Sequence, residues 1–250
     1  MVGGVALKGL IIVLDSVRLD VFREADTPNF DSLGETVEAY SHGSWTRPSV
    51  VSILSGYLPS SRLGQPFKPS WVMLSREVFH EREVRAWFLN SNAWVHNMAP
   101  RAYTEKWYPE PWSGPKMVED ACRILRAFEN SFVVLLLTET HGPYNYRRDI
   151  PYEEFVSRVK AYNRGVDNDA PEEARERSME AIEYVDGLVK PLLDLADCVI
   201  VTSDHGELMG EHHLIGHDPS MPFHPVLVRV PLIVWGDLGD VRLRASPPSG

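Results

Sequence analysis

The chain has 250 residues, and its 25 basic and 35 acidic side chains leave a formal net charge of −10. That balance argues against a general nucleic-acid binder, which would carry a basic excess, and 44% hydrophobic with 24% charged residues excludes wholesale disorder. No apolar run reaches the roughly 18 residues of a membrane span. The opening Met-Val-Gly-Gly-Val-Ala-Leu-Lys lacks the basic start and apolar core of a signal peptide, so a soluble cytoplasmic protein is expected.

In chain order, residues 7–14 form a nearly continuous apolar run, the pattern of a strand covered on both faces. A helix is predicted over 47–54, ended by Gly56, with Thr46 in the N-cap position and Pro48 in the first turn. A strand follows at 84–89. Pro and Trp cluster over 94–115, which reads as a surface loop. A helix over 116–129 and a strand over 131–138 come next, and the polar, Arg-rich stretch 144–169 reads as an excursion over the sheet. The helix predicted over 171–193 opens on Pro171, Glu172 and Glu173. It carries Ile182, Val185, Val189 and Leu192 at spacings of three and four, and Pro191 should kink or end its last turn. Strands over 197–203 and 228–235 complete the pattern.

Strands alternating with helices imply an α/β three-layer sandwich, with a mainly parallel central sheet and helices on both faces. One domain over 1–243 and a disordered tail over 244–250 are expected. Cys122 and Cys198 form no metal or redox motif and read as buried thiols.

Ligands of open α/β sheets bind beyond the C-terminal ends of the strands, and three strands here deliver carboxylates and imidazoles to that edge. The first is followed by Asp15-Ser16-Val17-Arg18, the third by Glu139-Thr140-His141, and the next by Asp204-His205-Gly206-Glu207. Any one could be a cap or a surface charge; three together would be an unusual accident. Asp15, Asp204 and His205 make a mixed oxygen and nitrogen set suited to Zn²⁺ or Mn²⁺ and tolerant of Ca²⁺. A helix start at Thr46 would serve equally as a cap or as an anion site, where a hydroxyl beside a divalent cation becomes a nucleophile. Arg47 beside it could clamp phosphate or form an ordinary ion pair.

Residues 10–20 (Leu-Ile-Ile-Val-Leu-Asp-Ser-Val-Arg-Leu-Asp), the Thr27-Pro28-Asn29 block and Ser44-Trp45-Thr46-Arg47-Pro48-Ser49 stand in fixed order. Asn90-Ser91-Asn92, His141-Gly142-Pro143-Tyr144 and Ser203-Asp204-His205-Gly206-Glu207 follow, then Gly216-His217 and the run 230–236. Together they resemble the alkaline phosphatase superfamily, specifically its sulfatase-like branch, over nearly the whole chain. The resemblance implies metal ligands Asp15, Thr46, Asp204 and His205, with Thr46 as nucleophile and His141 and His217 facing the substrate. It implies one divalent ion and allows a second. It also implies that a chain closing near 235 lacks most of the family's C-terminal subdomain.

Three departures point within that family. Sulfatases use Cys or Ser, converted to an aldehyde, where this chain has Thr46; they have Arg in place of Val50 and an aspartate in place of Ser16. Threonine belongs to the phosphoryl-transfer members. The expected function is therefore metal-dependent hydrolysis of a small anionic phosphate mono- or diester through a phosphothreonine intermediate. Sulfate-ester hydrolysis, phosphotransfer to an alcohol, and a non-catalytic metal-stabilised binding module are the alternatives.

Overall fold

The computed structural model describes residues 7–56, 84–144, 146 and 152–236. The expected tail over 244–250 and the domain boundary at 243 lie outside the described residues.

The strands are β1 (Lys8–Leu14), β2 (Val37–Tyr40), β3 (Arg85–Asn90), β4 (Tyr103–Trp107), β5 (Ser131–Leu137), β6 (Cys198–Ser203) and β9 (Arg229–Gly236), with a small hairpin of β7 (Leu208–Met209) and β8 (Ile215–Gly216). The helices are α1 (Leu19–Glu24), α2 (Pro28–Asp31), α3 (Thr46–Ser55), α4 (Gly114–Ala127), α5 (Glu153–Tyr162) and α6 (Ala170–Leu193). The main sheet has seven strands in the order β2-β9-β6-β1-β5-β3-β4. The five from β6 to β4 run parallel; β9 lies antiparallel between β6 and β2.

Alternation along β1 explains the layers. Leu10, Ile12 and Leu14 join a core built with Ile182, Val185, Val189 and Leu192 of α6 and Met117, Ala121 and Leu125 of α4. Val13 points the other way, into a second core with Val50 and Leu54 of α3, Phe88 and Val134. Burying each large aliphatic side chain contributes about 1.5–3 kcal/mol, so both faces of β1 must be covered. The expected α/β sandwich with a mainly parallel sheet is the observed architecture.

Several local readings need correction. The stretch 94–115 holds β4, whose mostly polar Tyr-Thr-Glu-Lys-Trp is tolerated because, among the described residues, it is the sheet edge and pairs with β3 alone. α4 starts two residues earlier than predicted, because the Glu139 carboxylate accepts the Gly114 N–H at 2.6 Å. The excursion over 144–169 contains α5, which covers its apolar side with Phe155 and Tyr162. Pro191 falls in the last turn of α6, which ends at Leu193. Both cysteines are buried and free.

Register positions the site. Leu14 pairs with Leu137 on one side and with Ser203 on the other, so Asp15, Thr138 and Asp204 leave the three central strands at one level.

Candidate active site

Asp15, Asp204 and His205 converge beyond these strand ends, their ligand atoms all within 4.8 Å of one another and fully buried. Each is held by fixed partners. Asp15 accepts the Asn92 amide at 2.8 Å on one oxygen and the Ser16 hydroxyl at 2.9 Å on the other. The Ser16 N–H at 3.0 Å and the His205 N–H at 2.9 Å both bind Oδ1 of Asp204, while its Oδ2 is buried without a hydrogen-bond partner. The turn that carries His205 requires a glycine next: a Cβ on Gly206 would lie 1.9 Å from the Val226 carbonyl oxygen.

His205 lies with Nδ1 2.7 Å from the Gly206 carbonyl. Donation there places the proton on Nδ1 and leaves the Nε2 lone pair facing the carboxylates, 3.4 Å from Asp204 and 3.8 Å from Asp15. Burial, with the nearby His217 charge, brings its pKa down to about 3, so the ring is neutral. Burial and the neighbouring Asp15 push Asp204 well above the usual carboxylate range. Burial also opposes charge on Asp15, but the nearby His141 and His217 and the Asn92 amide outweigh it and hold Asp15 low. Two buried carboxylates, one with an orphaned oxygen, and a neutral imidazole with its lone pair aimed between them fit a divalent cation.

Thr46 comes to this cluster from the opposite layer. Its hydroxyl is 3.1 Å from Nε2 of His205, and the residue is only 4% exposed. The expected N-cap role is corrected: Trp45, in extended conformation, is the N-cap and Thr46 the first helical residue. Its side chain faces the cluster instead of the helix's own N–H groups. The loop before α3 is held to the helix by Ser49, whose hydroxyl lies 3.0 Å from both the Gly43 and the Trp45 carbonyls, and left-handed Gly56 (φ 73°) ends the helix.

His217 sits between His141 and His205, ring centroids 5.0 and 4.4 Å away. Its Nδ1 is 3.2 Å from Oε1 of Glu207, whose other oxygen accepts the Tyr144 hydroxyl at 3.0 Å. Burial alone would lower the His217 pKa; the Glu207 hydrogen bond and charge raise it overall. Nδ1 of His141 faces the Gly142 carbonyl. Both rings line a cavity of about 780 Å³ that Thr46 also lines.

The structure thus brings together Asp15, Thr46, Asp204, His205, His141 and His217. Arg47 is directed elsewhere: its Nε donates to the Trp94 carbonyl at 3.1 Å, with the guanidinium 5.8 Å from that ring. Arg18 is taken up by Asp20 and Glu211. Sequence reasoning assigned no role to Asn92, Glu207 or Tyr144. The strand-end rule could have found Asn92, two residues beyond β3; nothing local marks Glu207 as the partner of His217 or Tyr144 as the partner of Glu207.

The chain is similar to known proteins over most of its length. The family model described as Sulfatase matches residues 10–245. The low-salt glycan biosynthesis sulfotransferase Agl7 of Haloferax volcanii is 27% identical over 234 residues, covering 90% of this chain and 53% of that protein. The chain therefore spans about half the length of this curated relative. The C-terminal periplasmic domain of EptC from Escherichia coli superposes with a TM-score of 0.63 at 16% identity, over 93% of this chain and 73% of that one. A second structure of that domain is a zinc complex. A putative sulfatase from Bacteroides thetaiotaomicron gives 0.66 at 16% identity, over 92% and 64%. At these identities the structural likenesses show the fold alone.

Proposed function

This chain belongs to the sulfatase family, and from that premise we propose that it is a metal-dependent hydrolase of phosphate esters with Thr46 as nucleophile. The observation that carries the reading is the Thr46 hydroxyl at 3.1 Å from Nε2 of His205, at the start of a ten-residue helix and against two buried aspartates.

Asp15, Asp204, His205 and Thr46 would hold the cation; zinc, manganese or calcium suits the donors. When bound, a divalent ion neutralises the paired carboxylates and acidifies the threonine hydroxyl. The free N–H groups of the first turn of α3 stabilise charge on the non-bridging phosphate oxygens. Thr46 Oγ, its proton given up to solvent, attacks phosphorus in line, and the bond from phosphorus to the alcohol oxygen breaks. His217, its Nδ1 turned to Glu207, presents Nε2 to protonate that departing oxygen. Water then attacks the phosphothreonine, with His217 or His141 taking its proton, and Thr46 is released.

Threonine favours phosphate over sulfate, because it cannot supply the aldehyde that sulfatases use. The similarity to a sulfotransferase favours one second reading, in which the same residues pass the group to an alcohol instead of water. Aryl phosphates and aryl sulfates assayed side by side with added Zn²⁺ or Mn²⁺, for wild type and Thr46→Ala, test the proposal. Phosphate turnover should dominate and fall at least about a thousandfold in the variant. Full activity in Thr46→Ala overturns the nucleophile, faster sulfate turnover overturns the substrate class, and metal binding with no turnover makes the chain a binding module.

A further inference from the structure

The cavity that reaches Thr46, His141 and His217 is far larger than a phosphoryl group. Its roughly 780 Å³ lies in the upper part of the 300–1,000 Å³ range of pockets that enclose whole small molecules. Its walls away from the histidines are apolar: Trp45 and Trp94 on the α3 side, Phe155 and Val156 from α5, and Ile215 and Met221 beyond the small hairpin. Among the described lining residues, polar side chains are few. Glu207 is buried and engaged by His217 and Tyr144, and Asp218 accepts the Ser220 hydroxyl at 2.5 Å. Among the described lining residues, Lys160 is the remaining charged group.

A sugar or polyol bound here would bring many hydroxyls to a wall that offers few partners, and unpaired buried hydroxyls are costly. We propose that this cavity receives the alcohol portion of the ester, and that this portion is bulky and apolar, aromatic or hydrocarbon. The inference rests on Thr46, His141 and His217 marking the reacting end. It extends that reading by naming the class of alcohol released. Trp94, 66% exposed yet lining the cavity, gives the bound group an apolar contact reachable from solvent.

Binding of n-alkylphosphonates tests the proposal apart from the nucleophile, since their carbon–phosphorus bond leaves no alcohol to release. Isothermal titration calorimetry on the full chain with added Mn²⁺ would compare methyl-, butyl- and octylphosphonate with the phosphonate analogue of glucose 6-phosphate, in which carbon replaces the ester oxygen. Affinity should rise about three- to fourfold per methylene, so butylphosphonate should bind roughly thirty- to sixtyfold more tightly than methylphosphonate. Val156→Asn and Met221→Gln, which make the wall polar without adding charge, should flatten that series. A flat wild-type series, or the glucose phosphonate binding more tightly than butylphosphonate, overturns the proposal. Should either variant lose its circular dichroism spectrum, the wild-type series decides alone. A steep series together with active Thr46→Ala would keep the apolar subsite and reject the nucleophile.

Discussion

His217 and Glu207 form a buried imidazole–carboxylate pair, Nδ1 to Oε1 at 3.2 Å, ten residues apart in the chain and on opposite sides of the β7–β8 hairpin. The pair fixes the ring's orientation, since the carboxylate takes Nδ1 and leaves Nε2 without that partner.

This pairing makes Glu207 a positioning residue whose loss should depend on the leaving group. Glu207→Gln keeps an acceptor for Nδ1 but removes the charge that stabilises the imidazolium. Turnover of esters of alkyl alcohols, which leave only when protonated, should fall about 10- to 100-fold. Turnover of 4-nitrophenyl esters, whose anion leaves unaided, should change far less. Equal losses on both substrates, at unchanged metal content, would mean that Glu207 only supports the fold.

The Asp15 and Asp204 carboxylates are buried together, and Asp204 has an oxygen without a partner. Like charges at such distance oppose folding until a cation joins them. Saturating Mn²⁺ or Zn²⁺, at about 100 times its Kd, should stabilise the chain by about 2.7 kcal/mol. That corresponds to a rise in Tm of about 5–10 °C for a domain of this size. Asp204→Asn should raise the Tm measured in EDTA and abolish the metal-dependent increase. Thermal denaturation with and without EDTA checks both; an Asp204→Asn protein that still gains several degrees from metal would place the ion elsewhere.

Asp20 supplies a prediction in acid. Burial works to raise its pKa, but hydrogen bonds and charge from Arg18 and Arg175 outweigh that and bring it to about 2, from an ordinary 3.8. A carboxylate whose folded pKa is depressed adds stability that is present above the unfolded value and lost as pH falls through the folded one. Asp20→Asn should therefore be less stable than wild type at pH 6, and the difference should close between about pH 4 and pH 2. The Asp20 side chain is 48% exposed, so solvent screening limits the effect to about 0.2–1 kcal/mol. Urea unfolding at pH 6, 4 and 2 reads it directly, and a difference that persists at pH 2 would assign the effect to packing.

The apolar runs that became β1, β5 and β6 were legible because strands covered on both faces leave no polar side to confuse the pattern. The groups just past their ends, Asp15, His141, Asp204 and His205, were legible for the same reason. β4 and α5 were not: one is an edge strand of mixed polarity and the other a short helix in a charged stretch, and neither has the periodicity of a fully covered element. Thr46 was found by its place before a helix, but a local signal could not say whether its hydroxyl capped that helix or left it.

By itself, then, the sequence determined which residue types stand at the ends of which strands, because hydrophobic period and strand-end position are local properties. Only the tertiary structure decided that Leu14 lies level with both Leu137 and Ser203, that Thr46 meets His205, that Arg18 and Arg47 are drawn to other partners, and that α5 walls the cavity with apolar side chains. Most of those outcomes depend on register and packing between segments distant in the chain, Thr46 and His205 being 159 residues apart, where the free energy of covering both sheet faces selects one arrangement that no local pattern encodes.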